Sequence, residues 1–486
     1  MVLDSAPRLD KSAYLILPVM ALAFYIAFIP HQSYAYPVHI DDWVHWANAE
    51  AIIRAGSTTY TEPFYGKSVV TIGANLEFGF QLFWGVFHQI SGISWLTIFR
   101  FFPGIISALA ILSVYVMGRR QGFGWESAFF VALIPTTVGI LGPAFLVPVA
   151  MGLLFVPLSL FVAFNFKSAW GYVVIFLFTC FLLVIHAPSA LCLVIILFPY
   201  ILLNLKGNLR HSLGILLALL IPFLAPFSWI LKMLLPTFKG LFAPQSLSPY
   251  IDFPRIIMTY GYLAIGLCIL GTLVLAVKGG RKNYGLALGL VALLAMQVIY
   301  FTFHYGVAIM YERGLMFMML MVGIVAGAGL MAIRELSLPE AIASRLKLSG
   351  SRVKHYLGWA FCLALVGVTL YIAIPARQHI PYYHMMNEQE YAEYTWIKEN
   401  VGEEYDKAVL DPWKATPFAV ITGKKVYTRI HAYPMATDEE AKKFLSEGCS
   451  DTAFLRDNGI SLIYTEGECK NPDLVKVKDK VYVLEK

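Results

Sequence analysis

Apolar residues recur along this chain in blocks of about twenty, among them 15–28, 173–185, 213–231, 286–303 and 357–374 with their flanks. A helix rises 1.5 Å per residue, so twenty residues match the roughly 30 Å hydrocarbon core of a bilayer. A soluble core would not space its apolar residues in this way. Only 14% of the residues are charged and 58% are hydrophobic, against about 25% charged in an ordinary soluble domain. The chain is therefore expected to be a mainly α, polytopic membrane protein. The first block follows Arg8 and Lys11 and meets Ile29-Pro30-His31-Gln32 without a small-x-small cleavage pattern, which reads as a retained helix with a cytoplasmic N-terminus.

Lys and Arg between the blocks set the orientation, because cytoplasmic loops collect them. Arg8 and Lys11, Arg119 and Arg120, Lys167, Lys206 and Arg210, Lys278, Arg281 and Lys282, and the group from Arg334 to Lys354 fall in alternate loops. The opposite turns 136–143 and 186–188 hold none. This alternation predicts about eleven spans, near 12–31, 95–117, 125–141, 143–165, 170–186, 188–205, 212–235, 257–277, 285–304, 312–333 and 356–375. An odd number places the C-terminal end outside. The expected division is a membrane domain, 1–375, carrying a first extracytoplasmic loop at 31–94, followed by an extracytoplasmic domain, 376–486. The net charge of +6 belongs to the cytoplasmic loops and gives no reason to expect a nucleic acid partner.

After Pro381 the composition changes, with Glu388, Glu390, Glu393, Lys398, Glu399, Glu403, Glu404 and Asp406 inside twenty residues. Helices are expected at 387–400 and 438–447, and short strands at 407–410, 425–428, 461–464 and 480–484, giving a small α/β layer. Cys180, Cys192, Cys268 and Cys362 sit in apolar blocks as small hydrophobes. Cys449 and Cys469 are the cysteines of the polar tail. On the oxidising side of a membrane they are expected to pair, and their spacing matches no metal site.

The first loop carries the clearest chemical signal, from His39 through Asp41, Asp42, Trp43, His45, Trp46, Glu50 and Arg54 to Gly56. It reads as an acidic pair opening an amphipathic helix that a glycine ends, with Trp43, Trp46, Ala47 and Ile53 along the membrane interface and Glu50 and Arg54 in water. An aromatic interfacial piece follows at 76–87. One aspartate at a helix start is an ordinary cap worth about 1 kcal/mol. Two exceed what a cap requires, which marks Asp41 and Asp42 as candidate functional residues without choosing between them.

This arrangement resembles the GT-C superfamily of integral-membrane glycosyltransferases, which includes protein O-mannosyltransferases, aminoarabinose transferases and the catalytic subunit of oligosaccharyltransferase. The matching features are Asp41-Asp42 in the first outer loop, the helix ending at Gly56, and the apolar stretch that begins Tyr311-Glu312-Arg313. The resemblance implies an inverting transferase with a polyprenyl-phosphate-linked sugar as donor and a glycan, lipid or protein acceptor. Asp41 or Asp42 would then be the base, and Arg313, or the loop residues Lys239 and Arg255, would hold the donor phosphate.

The chain departs from oligosaccharyltransferases in two places. It lacks a WWDYG motif, and the turn 136–143 has no carboxylate. A metal-independent enzyme without a cofactor is therefore expected. In the tail, Asp411 and Trp413 are candidates for acceptor binding, since a tryptophan face suits a sugar; the plainer reading is a turn between strand and helix. Competing classes are a transporter, which would place charges near the bilayer midplane, and a receptor or assembly subunit whose outer domain binds a ligand without catalysis.

Overall fold

The computed structural model describes residues 11–137, 141–239, 258–336, 351–380, 382–431 and 434–485. Their contacts group into two compact units. One comprises Met1–Ser33 and Phe99–Tyr382, and the other Tyr34–Ile98 and Tyr383–Lys486.

The first unit is helical. Among the described residues, seven helices are long and apolar enough to cross a membrane: Ala13–His31, Trp95–Arg119, Pro148–Asn165, Ala169–Leu205, Arg281–Phe303, Ala308–Arg334 and Tyr356–Gln378. Two shorter apolar helices, Leu209–Leu224 and Tyr262–Lys278, accompany them. Three of the eleven expected spans are reshaped by proline. The span expected at 125–141 is helical only over Gly124–Ala132, because Pro135 disfavours helix at the residue before it and brings no N–H of its own. The spans expected at 170–186 and 188–205 are one continuous run, Ala169–Leu205, broken at His186 (φ −160°, ψ 90°). Pro188 cannot donate to the preceding turn, and the buried His186 instead meets Ser189 Oγ through Nδ1 at 2.6 Å. Each arm is about 26–29 Å long at the helical rise, enough to span a bilayer by itself.

Ala308–Arg334 runs through the middle of this unit and is buried along most of its length. Small residues allow that. A Cβ on Gly271 would stand 2.0 Å from the Val325 carbonyl oxygen, and one on Gly329 would stand 2.1 Å from the Leu267 carbonyl oxygen. The contact is reciprocal, so the helices Tyr262–Lys278 and Ala308–Arg334 touch backbone to backbone, as small-residue helix pairs in membranes do. Gly327 lies equally close to the backbone of Ser127, whose hydroxyl donates to the Ile324 carbonyl at 2.7 Å. A Gly329→Leu variant is expected to lose about 1–3 kcal/mol or more through overpacking, read as a lower melting temperature in detergent. A melt equal to wild type would mean that the helices do not need this approach.

The second unit joins the first-loop segment to the tail. The loop segment carries a two-stranded antiparallel ribbon, β1 (Tyr60–Thr61) with β2 (Val69–Val70), and the main sheet has strand order β4-β3-β5-β7-β6, where β3 is Lys407–Val409, β4 Lys425–Val426, β5 Leu462–Tyr464, β6 Leu474–Lys478 and β7 Val481–Leu484. β3 is parallel to both β4 and β5, while β7 runs antiparallel to β5 and β6. The expected strands and the helices Glu388–Asn400 and Ala436–Ser446 are present. β6, Pro412–Thr422 and Thr452–Asp457 are additions. Val409, Phe444, Leu455, Ile463 and Tyr482 form a core beside Cys449, which is bonded to Cys469 as expected.

The loop segment is tied to this layer by two backbone hydrogen bonds and a tyrosine hydroxyl. The Tyr383 amide donates to the Val38 carbonyl (3.1 Å), the Val426 amide to the Phe64 carbonyl (2.8 Å), and Tyr34 Oη to the Met386 carbonyl (2.8 Å). The helix Ile40–Ala55 ends at Gly56 in the left-handed conformation (φ 57°), and Phe78–Ser91 packs against it. Trp43 and Trp46 are buried and stacked 5.3 Å apart, packed into protein instead of lying open along one face.

Candidate active site

The start of Ile40–Ala55 is capped by a histidine. His39 Nδ1 accepts the Asp41 amide hydrogen at 3.1 Å, so the caps that would have accounted for Asp41 or Asp42 are not needed. Because Nδ1 is the acceptor in that bond, it has no proton to offer the Asp41 carboxylate 3.7 Å away. Asp41 keeps a side chain that is 38% exposed, whereas Asp42 is 1% exposed. The neighbouring turns thus present one accessible carboxylate and one enclosed in protein. Both still gain from lying in the positive first turn of a helix.

The tail contributes the surroundings. Asp411 caps Pro412–Thr422 by accepting the Trp413 amide at 3.0 Å, which is its turn-forming role. Trp413 meets Tyr383 edge to face at 5.1 Å, and Tyr383 lies 5.3 Å from the His39 ring. Asp41, Asp42 and Trp413 are therefore brought into one neighbourhood through His39 and Tyr383. Arg313 lies in Ala308–Arg334, in the other unit, partly buried beside Glu312. Lys239 ends the helix Ser228–Lys239, with its side chain outside the described residues; Arg255 also lies outside them. Among the described residues no three of His, Cys, Asp and Glu converge as ligands for a metal.

Three residues here escape a reading of the sequence: Tyr65, Arg429 and His431. Arg429 lies 4.5 Å from the Phe64 ring centroid, and Tyr65 Oη meets His431 Nε2 at 2.8 Å. Burial pulls the Arg429 pKa down, opposed by Tyr65, Glu62 and Asp41 nearby; the guanidinium remains a cation. One signal was available. Asp411 and Trp413 follow β3, and Arg429 and His431 follow β4. Ligand sites in α/β layers gather beyond the carboxyl ends of parallel strands.

Burial lowers the pKa of both His384 and His431, with Arg429 adding to the effect at His431. Each ring therefore takes a proton in the unfolded chain before it does so in the folded one. Stability is unaffected well above the ordinary value near 6.5 and is lost as pH falls through it. The full chain in detergent is expected to melt at a lower temperature at pH 5.5 than at pH 7.5, and a His384→Gln/His431→Gln variant should narrow that difference. An unchanged difference would assign the acid sensitivity to other groups.

Fold and hydropathy together define a polytopic integral membrane protein, and its fold is one shared with solved membrane glycosyltransferases. The solved structures it resembles make this concrete. The oligosaccharyltransferase of Archaeoglobus fulgidus in its apo form matches with a TM-score of 0.65 at 12% identity, over 94% of this chain and 70% of that one. The same archaeal enzyme is known in complex with an inhibitory peptide and a dolichol-phosphate. ArnT from Cupriavidus metallidurans bound to undecaprenyl phosphate matches at 0.54 and 13%, over 98% of both chains. The arabinofuranosyltransferase AftD from Mycobacteria matches at 0.59 and 14%, over 98% of this chain and 40% of that one. These neighbours are GT-C glycosyltransferases, so the fold expected from Asp41-Asp42, Gly56 and the Arg313 stretch is the fold observed. No protein-family model matches the sequence, and no curated protein does.

Proposed function

We propose that this protein is a GT-C glycosyltransferase that moves a sugar from a polyprenyl-phosphate donor to an acceptor hydroxyl at the extracytoplasmic face of the membrane. The observation that carries the reading is an accessible first-loop carboxylate, Asp41, at the start of a helix already capped by His39, within a GT-C fold. The acceptor oxygen attacks the anomeric carbon while the bond from that carbon to the phosphate oxygen breaks. The acceptor's proton passes to Asp41, the bonding pair leaves on the phosphate, and the anomeric configuration inverts. Asp42, enclosed beside it, holds the turn and its field in place.

The departing phosphate needs a cation, and Arg313, Lys239 and Arg255 are the proposed sources. Trp413 offers an apolar face to the acceptor, while Asp411 fixes the turn that presents it. The N-terminus is cytoplasmic in this reading, as the distribution of Lys and Arg requires. The reaction is metal-independent, in keeping with the carboxylate-free turn 136–143. The test is transfer from a panel of radiolabelled polyprenyl-phosphate sugars by the purified full chain in detergent, with and without a chelator. Turnover that survives chelation is expected; absence of turnover and of lipid-sugar binding across the panel would favour a transporter or receptor.

A further inference from the structure

We infer that Arg429, backed by Phe64 and flanked by Tyr65 and His431, is a binding site for a phosphate-type anion. Arg429 extends from the loop after β4, and its guanidinium lies over the Phe64 ring. Among the described residues its Nε is buried with no hydrogen-bond partner, and the one hydrogen bond of its guanidinium is a long contact of 3.5 Å from Nη1 to the neighbouring Ile430 carbonyl. A partly buried cation held this way is costly unless something completes it.

The nearby acids do not complete it, and two of the three, Asp438 and Glu62, are engaged elsewhere. Asp438 accepts from Thr428 Oγ1 at 2.5 Å and from the Met435 amide at 2.9 Å, which spends both carboxylate oxygens on starting the helix Ala436–Ser446. Glu62 Oε2 accepts the Tyr65 amide at 2.6 Å. Asp41 lies in the first turn of the helix Ile40–Ala55 and makes no ion pair with Arg429 among the described residues. A ring face under the guanidinium leaves its N–H edge free, and that planar fork fits two oxygens of a phosphate. The Tyr65–His431 pair adds polar atoms beside it.

This inference does not require the transferase reading. It is tested by calorimetric titration of the full chain in detergent with inorganic phosphate and, separately, with undecaprenyl phosphate. The variants are Arg429→Ala and Arg429→Lys, with melting temperatures recorded for each. Wild type is expected to bind at least one of the two ligands, with Arg429→Ala weakening binding tenfold or more and Arg429→Lys, which keeps the charge but not the fork, falling between. Binding of both ligands would identify the bare anion as sufficient; binding of the lipid alone would identify a lipid headgroup. If Arg429→Ala does not fold, a folded Arg429→Lys with weakened binding supports the site. Unchanged affinity in a folded variant, or no binding of either ligand by wild type, would overturn it and leave Arg429 as a clamp on Phe64. Loss of binding in the variant alongside a wild type that transfers no sugar would retain the anion site while removing the proposed enzyme.

Discussion

An Asp41→Asn variant is expected to transfer sugar roughly 10²–10⁴-fold more slowly than wild type, the range that a positioned general base contributes. Asparagine keeps the shape of the side chain and cannot take the acceptor's proton. The loss should fall on kcat, with KM for the lipid-linked donor little changed, since the group acts while the proton is leaving and not on the bound ground state. The melting temperature should stay near that of wild type because the Asp41 side chain is half-exposed and the helix cap belongs to His39. Asp42→Asn provides the contrast: at 1% exposure, its change should lower the melting temperature as well. Full activity in Asp41→Asn together with a dead but stably folded Asp42→Asn would exchange the two roles. Full activity in both would remove the first loop from catalysis.

Breaking the Cys449–Cys469 bridge should produce the largest loss of stability. The bond closes a sequence separation of 20 residues, and a loop of that size restrains the unfolded chain by about 3 kcal/mol. Cys449 also sits in the core with Phe444 and Leu455, and the Asn471 side-chain amide donates to its carbonyl at 3.0 Å. A Cys469→Ser variant, or reductant on wild type, is therefore expected to expose the segment from Thr452 to Asn471 to protease well before the membrane helices loosen. Pulse proteolysis with and without reductant measures this directly. Equal protection in both conditions would mean that packing alone holds the segment.

Much of this architecture was legible because it depends on local pattern. Apolar length marked most spans, and the charged tail separated itself after Pro381. The short apolar runs at 461–464 and 480–484 announced β5 and β7, while β6 escaped because Leu474–Lys478 alternates with lysines on an edge that is largely exposed. The break at His186 and the short helix before Pro135 show how prolines can redirect an apolar block without changing its composition. Asp41 and Asp42 were visible as an excess of carboxylates, but their difference in exposure arises from packing. Arg429 was illegible for a stronger reason. Its neighbours Phe64, Tyr65 and Asp41 lie more than 360 positions earlier, and no local periodicity encodes a contact across that distance.

The same separation has a bearing on how the protein is made. Between the two segments of the second unit the ribosome must synthesise 284 residues, Phe99–Tyr382. At roughly 5–20 residues per second that takes roughly fifteen to sixty seconds. Throughout this interval the segment bearing Asp41 and Trp43 has been translated while the sheet it joins does not yet exist. The carboxylate pair thus acquires its tail neighbours only after this interval, and under the proposed function catalytic competence cannot precede the synthesis of the tail.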